Sequence, residues 1–208
     1  MEEGASVVLV ARTTGALEEV DDRLRALGGQ ATLVPCDLTQ SGVLDRLGGA
    51  VFERFGRLDI LVGNAGDLGV LSPAAHIDPE VWRHTFAVNV EANFGLIRSF
   101  DALLRASDAG RAVFVTCEQA AATRPFWSAY AASKAALERV ALDWAEEVKH
   151  TPLKVNIARP PAMRTRLRAN AYPSEDPNAV AAPETFAPAL VALCRPDCVR
   201  HGEIVDLA

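Results

Sequence analysis

Two residues past the midpoint of the 208-residue chain carry the plainest chemistry. Tyr130 and Lys134 stand four apart in the run Ser128-Ala129-Tyr130-Ala131-Ala132-Ser133-Lys134. On a helix that spacing puts both side chains on one face, one turn apart. A phenol, whose ordinary pKa is about 10, is a poor acid or base near neutrality. An ammonium beside it stabilises the phenolate and brings proton transfer toward the working range. The pair is improbable by accident. The chain has 18 Arg, only three Lys (Lys134, Lys149, Lys154) and two Tyr. A chance Tyr-x-x-x-Lys is expected at roughly 3% on such a composition.

Such a pair needs a rigid frame, and the hydrophobic pattern supplies one. Ala5–Ala11 (ASVVLVA) is short, continuous and β-branched, the mark of a strand buried on both faces of a parallel sheet. Leu17, Val20, Leu24 and Leu27 follow at helical spacing and stop at Gly28-Gly29. Strands are predicted again at Ala31–Cys36, Leu58–Gly63, Ala112–Cys117, Leu153–Ala158 and Glu203–Leu207. Helices are predicted over about 40–55, 79–106 and 126–149, with a short one near 183–194. Strand and helix alternate throughout. The expected fold is α/β: a doubly wound parallel sheet with helices on both faces, in one domain spanning 1–208. The stretch 169–184, with Pro173, Pro177 and Pro183, reads as a long functional or mobile loop.

Ligands of such sheets sit outside the carboxyl ends of the strands, so the residues just after each strand matter most. Arg12 follows the first. It can meet the 2′-phosphate of NADP or simply face solvent. Asp37 follows the second. It can accept from an adenine amino group or close a turn. Gly63-Asn64-Ala65-Gly66 follows the third, and its glycines allow close backbone approach to a flat ligand. Cys117 follows the fourth, as a site thiol or a small buried hydrophobe. Arg159–Arg168 (RPPAMRTRLR) follows the fifth, with four Arg in ten residues. It suits an anionic group or a solvated helix face.

The charge balance excludes other classes. Twenty-seven acidic and 21 basic residues give a net charge of −6, which is no field for nucleic acid. No apolar run reaches the roughly 18–20 residues of a membrane span. Cys36, Cys117, Cys194 and Cys198 lack a pairing pattern, and His76, His84, His150 and His201 are scattered. The expectation is a reduced, cytoplasmic setting with no metal site.

Taken in order, Val7–Arg12, Asp37, Asn64-Ala65-Gly66, Asn89, Cys117, Tyr130-x-x-x-Lys134 and Arg159-Pro160-Pro161…Thr165 resemble the short-chain dehydrogenase/reductase family. The resemblance runs from Glu3 to the C-terminus. Asn89 lies 28 residues before Cys117, and Cys117 lies 13 before Tyr130, as the family's catalytic Asn, Ser and Tyr do. The resemblance implies a Rossmann-like fold and hydride transfer between a nicotinamide cofactor and a carbonyl/alcohol pair. Tyr130 would be the general acid/base. Lys134 would lower its pKa and hold the nicotinamide ribose, while Asn89 would anchor a water leading to Lys134. Cys117 would stand where the catalytic Ser stands. Arg12, Asp37, Asn64, Ala65 and Gly66 would contact the adenosine half, and Pro160, Pro161 and Thr165 would flank the nicotinamide. NADP would be preferred, with NAD possible. The partners implied are a small molecule and further copies of the chain, as homodimer or homotetramer.

Three departures accompany the resemblance. The family's first strand and Gly-rich phosphate loop have no counterpart, and Met1–Ala5 matches the end of its first helix. An N-terminally truncated form with impaired cofactor binding is therefore expected, with a gap in the sheet. The catalytic Ser is replaced by Cys117, whose thiol is a weak hydrogen-bond donor. Pro161 replaces a Gly and removes one backbone N–H. An alternative function follows from the same departures: a non-catalytic chain of this fold that acts by binding a partner.

Overall fold

A computed structural model describes residues 4–207. Six strands and seven helices alternate along them: β1 Val7–Ala11, α1 Thr14–Ala26, β2 Ala31–Pro35, α2 Val43–Phe55, β3 Ile60–Gly63, α3 Pro79–Phe86, α4 Ala92–Arg105, β4 Arg111–Val115, α5 Ser128–Val148, β5 Lys154–Arg159, α6 Arg166–Ala171, α7 Ala187–Cys194 and β6 Glu203–Asp206. All strand pairs are parallel. The family-like end of a helix at Met1–Ala5 lies mostly outside the described residues. Gly4 and Ala5 are not helical, and Gly4 has φ +81°.

The strands form two hydrogen-bonded sheets, β1-β2 and β3-β4-β5-β6. Among the described residues no strand pairs β1 with β3, so the expected gap falls between them. Side chains bridge it instead. Val10 and Val34 from the small sheet pack against the main core, built from α2, α4, α5, β4 and β5 around Phe100, Leu104, Phe114, Leu137 and Trp144. The small sheet is also tied locally. Asp21 of α1 is buried and accepts from the Ala31 N–H at 2.8 Å. The amides of Gly28 and Gly29 return to the Arg25 and Leu24 carbonyls and close the helix.

The helical region predicted over 79–106 is interrupted. Asp78 caps α3 by accepting from the Glu80 N–H, with Pro79 in its first turn. A π-helical turn then spans Ala87–Glu91, before α4 begins. Such a turn widens the helix by one residue and re-aims a side chain, a device frequent at functional sites. The residue at its centre is Asn89, fully buried.

Gly63 ends β3 under tight enclosure. A Cβ there would overlap Asn93 Oδ1 and the Phe114 ring. Gly63→Ala is therefore expected to cost about 1–3 kcal/mol, read as a lower urea midpoint with unchanged slope.

Candidate active site

Of the residues flagged after the strands, Gly66 and Cys117 come together with Tyr130 and Lys134, while Arg12 and Asp37 adjoin one another beyond the separate β1-β2 sheet. Cys117 follows β4, half-buried, in extended conformation. Tyr130 and Lys134 descend α5 on one face, 6% and 3% exposed. Lys134 Nζ stands 5.9 Å from the centre of the Tyr130 ring and donates to the Val115 carbonyl at 2.9 Å. Cys117 packs against the cluster that holds Tyr130, close enough that each group shifts the other's titration.

The electrostatics differ from the expectation that Lys134 lowers the Tyr130 pKa. Burial, with Cys117 second, raises the Tyr130 phenol above its ordinary value. Lys134 turns to a backbone carbonyl rather than to the phenol. Burial lowers Lys134 from 10.5 to about 8, against smaller opposing effects of Cys117 and Glu138. Burial also raises the Cys117 thiol, so it is a thiol at neutral pH.

The Lys134 shift has a consequence for stability. Its folded pKa lies below its unfolded one, so the folded state disfavours the charged form. Lys134→Met is expected to stabilise the fold by roughly 1–3 kcal/mol at neutral pH. That advantage is complete below pH 8 and disappears as the pH rises to 10.5, where both states have lost the proton. Denaturant melts of both proteins across this range check it.

Asn89 is pinned rather than free. Its Oδ1 accepts from the Asp67 N–H at 2.7 Å, and its Nδ2 donates to the Asp67 carbonyl and to Ser133 Oγ, both at 2.8 Å. Its backbone carbonyl accepts from Asn93. These bonds hold the Asn64–Asp67 turn against α5. Gly66 keeps that turn shallow: a Cβ there would lie 3.4 Å from Lys134 Nζ and 3.6 Å from Asn89 Oδ1.

Arg12 and Asp37 meet at the ends of β1 and β2. Asp37 accepts from the Thr39 N–H and hydroxyl at 2.9 and 2.7 Å. Those bonds, then Arg12 and His84, hold its carboxyl below the usual range. The turn role and the ligand role are thus compatible.

The stretch after β5 is more ordered than a loop. Arg164 N–H donates to the Ala181 carbonyl, and Met163 bridges to Ala181. Thr165, expected beside a nicotinamide, caps α6 by accepting from the Arg168 N–H. The Arg-rich run is not simply a solvated face. Leu167, Ala171 and Tyr172 pack with Leu68, Leu71, Trp127 and Cys117 over Tyr130. The Trp127 ring lies 6.0 Å from Tyr130 and 5.8 Å from Tyr172, centre to centre. Phe126 aims Trp127 inward from a left-handed backbone, φ 74°, unusual for an aromatic residue. Its carbonyl accepts from the Ser72 N–H. Trp127 and Tyr172 form the site's wall, yet no spacing rule marks them.

The fold is α/β with parallel strands, and Tyr130 and Lys134 lie buried together beside the residue that follows β4. A family model described as short chain dehydrogenase matches residues 1–176. The chain belongs to the short-chain dehydrogenase family. It is 34% identical over 200 residues to the uncharacterized oxidoreductase YciK of Escherichia coli K12, covering 95% of this chain and 79% of that one. It is 32% identical over 189 residues to 3beta-hydroxysteroid dehydrogenase 1 of Eggerthella lenta, covering 89% and 71%. A putative short chain dehydrogenase from Escherichia coli CFT073, solved with NADPH, matches with TM-score 0.92 and 34% identity, covering 98% and 86%.

Proposed function

We propose that this chain is an NADP-dependent reductase or dehydrogenase acting on an apolar carbonyl/alcohol pair. The observation that carries the reading is the convergence of Tyr130, Cys117 and Lys134 beneath the wall made by Leu68, Trp127, Leu167 and Tyr172. The cofactor, when bound, supplies or accepts the hydride. Asp37 and the Asn64–Gly66 turn hold its adenosine half, and Lys134 and the Pro160–Thr165 segment hold its nicotinamide half. Tyr130 gives its proton to the substrate oxygen in reduction and takes it back in oxidation. Lys134 places positive charge beside that phenol, and Cys117 offers the same oxygen a second, weaker contact. The apolar wall excludes water from the reacting atoms. The NADPH-bound relative and the hydroxysteroid relative agree with this choice of cofactor and of apolar substrate.

The two sheets share no ladder, which leaves the ends of β1 and β3 less firmly held than strands of one sheet. Impaired turnover is part of the reading. The test incubates the protein with NADPH and a panel of aryl ketones, cyclic ketones and aliphatic aldehydes, and follows loss of the reduced nicotinamide. Turnover of apolar ketones supports the proposal. NADPH binding without turnover of any of them favours the non-catalytic alternative.

Coenzyme choice rests on Arg12. A guanidinium–phosphate contact contributes about 1.5–3 kcal/mol, so Arg12→Ala is expected to raise KM for NADP roughly 10- to 100-fold. KM for NAD should change little. Equal effects on both coenzymes would remove Arg12 from the 2′-phosphate.

A further inference from the structure

Glu138 is a buried carboxylate that the proposed reaction does not use. It lies one turn beyond Lys134 and two beyond Tyr130, on the same face of α5, and is 7% exposed. Arg159 at the end of β5 grips it with two bonds, 2.8 and 2.7 Å, and the Thr116 hydroxyl at the end of β4 donates to it at 2.7 Å. Thr116 immediately precedes Cys117, and Arg159 immediately precedes Pro160. The cluster therefore fastens both strand ends to α5 directly below the reacting groups.

A salt bridge that only fastened strands could sit anywhere along α5. This one places a single negative charge next to the one buried ammonium of the site. The charged and titratable groups acting on Lys134 are Cys117 from the end of β4 and Glu138 from α5, with the Tyr130 ring 5.9 Å from its Nζ; Arg159 of β5, which is also near Asp206 of β6, connects to it through Glu138. Asp67, on the turn after β3, directs its carboxylate to the Gly69 N–H. Glu138 is thus a carboxylate acting on Lys134, and the guanidinium of Arg159 bound to it carries the opposite charge.

We propose that Glu138, clamped by Arg159 and Thr116, is a positioning residue that keeps Lys134 charged inside the dry site. Its value to catalysis rests on the Tyr130–Lys134 reading; its effect on Lys134 does not. The signs separate this role from mere scaffolding. Removing the Glu138 charge while Arg159 remains disfavours the ammonium and lowers the Lys134 pKa. Removing Arg159 while Glu138 remains does the reverse. Scaffolding has another signature: loosening the cluster admits water to Lys134 and carries it up toward its ordinary value in both variants.

With only three lysines, the measurement is direct. The full chain is labelled with lysine carrying ¹³C at the ε position, and the three signals are followed by NMR through the alkaline range, Lys134→Arg assigning the relevant one. Glu138→Gln should lower the Lys134 midpoint by about tenfold in the protonation equilibrium, one pH unit. Arg159→Met should raise it. Should Glu138→Gln fail to fold, Glu138→Gln added to Arg159→Met buries no unpaired charge and should lower the midpoint of Arg159→Met. A midpoint that rises or stays still on loss of Glu138, in either background, overturns the proposal. Turnover on the same variants separates the two readings. A midpoint that moves while the pH edge of turnover does not leaves Glu138 assigned and removes Lys134 from proton transfer.

Discussion

Tyr130→Phe lowers turnover by about 10²–10⁴-fold, the range that a positioned general acid contributes. The substitution is narrow. The ring keeps its edge contact with Trp127 and its place among Leu68, Leu167 and Tyr172. Only the hydroxyl is lost, and with it its proximity to the Cys117 thiol. A half-buried thiol is a soft, weak acceptor, so losing its partner costs little stability. Burial has raised the phenol above its ordinary pKa, so Tyr130 is protonated at neutral pH, the correct state for giving a proton in reduction. The same shift makes it a reluctant acid, which is why a charged Lys134 on the same face matters. Stopped-flow or steady-state turnover with a ketone found in the panel gives kcat, and a thermal melt confirms the fold. A Phe variant within tenfold of wild type would show that the proton comes from elsewhere.

The frame of this site was legible because short apolar runs between helical patterns leave a strong mark. Val7–Ala11 and Ala112–Val115 are continuous apolar runs, β5 alternates Val155 and Ile157 with Lys154 and Asn156, and each of the three strands ends within a residue or two of its predicted limit, although β1 is only half-buried. The Tyr130–Lys134 pair was legible because helical spacing alone decides which residues share a face. What stayed hidden depends on other parts of the chain. The π-helical turn at Ala87–Glu91 carries no Pro or Gly, and its apolar spacing continues that of the helices beside it. Only packing against α5 and the Asp67 turn fixes it. The Arg159–Arg168 run hid Leu167 and its role over Tyr130, because four arginines outweigh one leucine in any pattern. Glu138 carries no sequence signal of its own. Its burial depends on Thr116 and Arg159, 22 and 21 residues away. The Lys134 bond to the Val115 carbonyl was beyond reach for the same reason, since backbone acceptors leave no sequence signal.

Cys117→Ser raises turnover by about 10- to 100-fold. A positioned donor at a developing oxyanion is worth on the order of 10²–10³ in turnover, and a thiol retains only part of it. The structure supports the placement. Cys117 packs beside Tyr130, so in the proposed reaction both would address the same oxygen. Thr116 cannot stand in, because its hydroxyl is committed to Glu138 on the other side of the strand. Redox chemistry is a poor account of the cysteine. A reactive thiol needs a depressed pKa, whereas burial raises this one despite Lys134 nearby. Serine is smaller than cysteine and fits the same extended backbone, φ −163° and ψ 167°, without strain. Its hydroxyl also donates more strongly to the substrate and accepts more strongly from Tyr130. Cys117→Ala should fall below wild type, because it removes even the weak S–H contact. The comparison needs kcat for wild type, Ser and Ala on one ketone at saturating NADPH. If Ser does not exceed Cys, or Ala equals it, the side chain at 117 does not touch the reacting oxygen and Tyr130 acts on it alone.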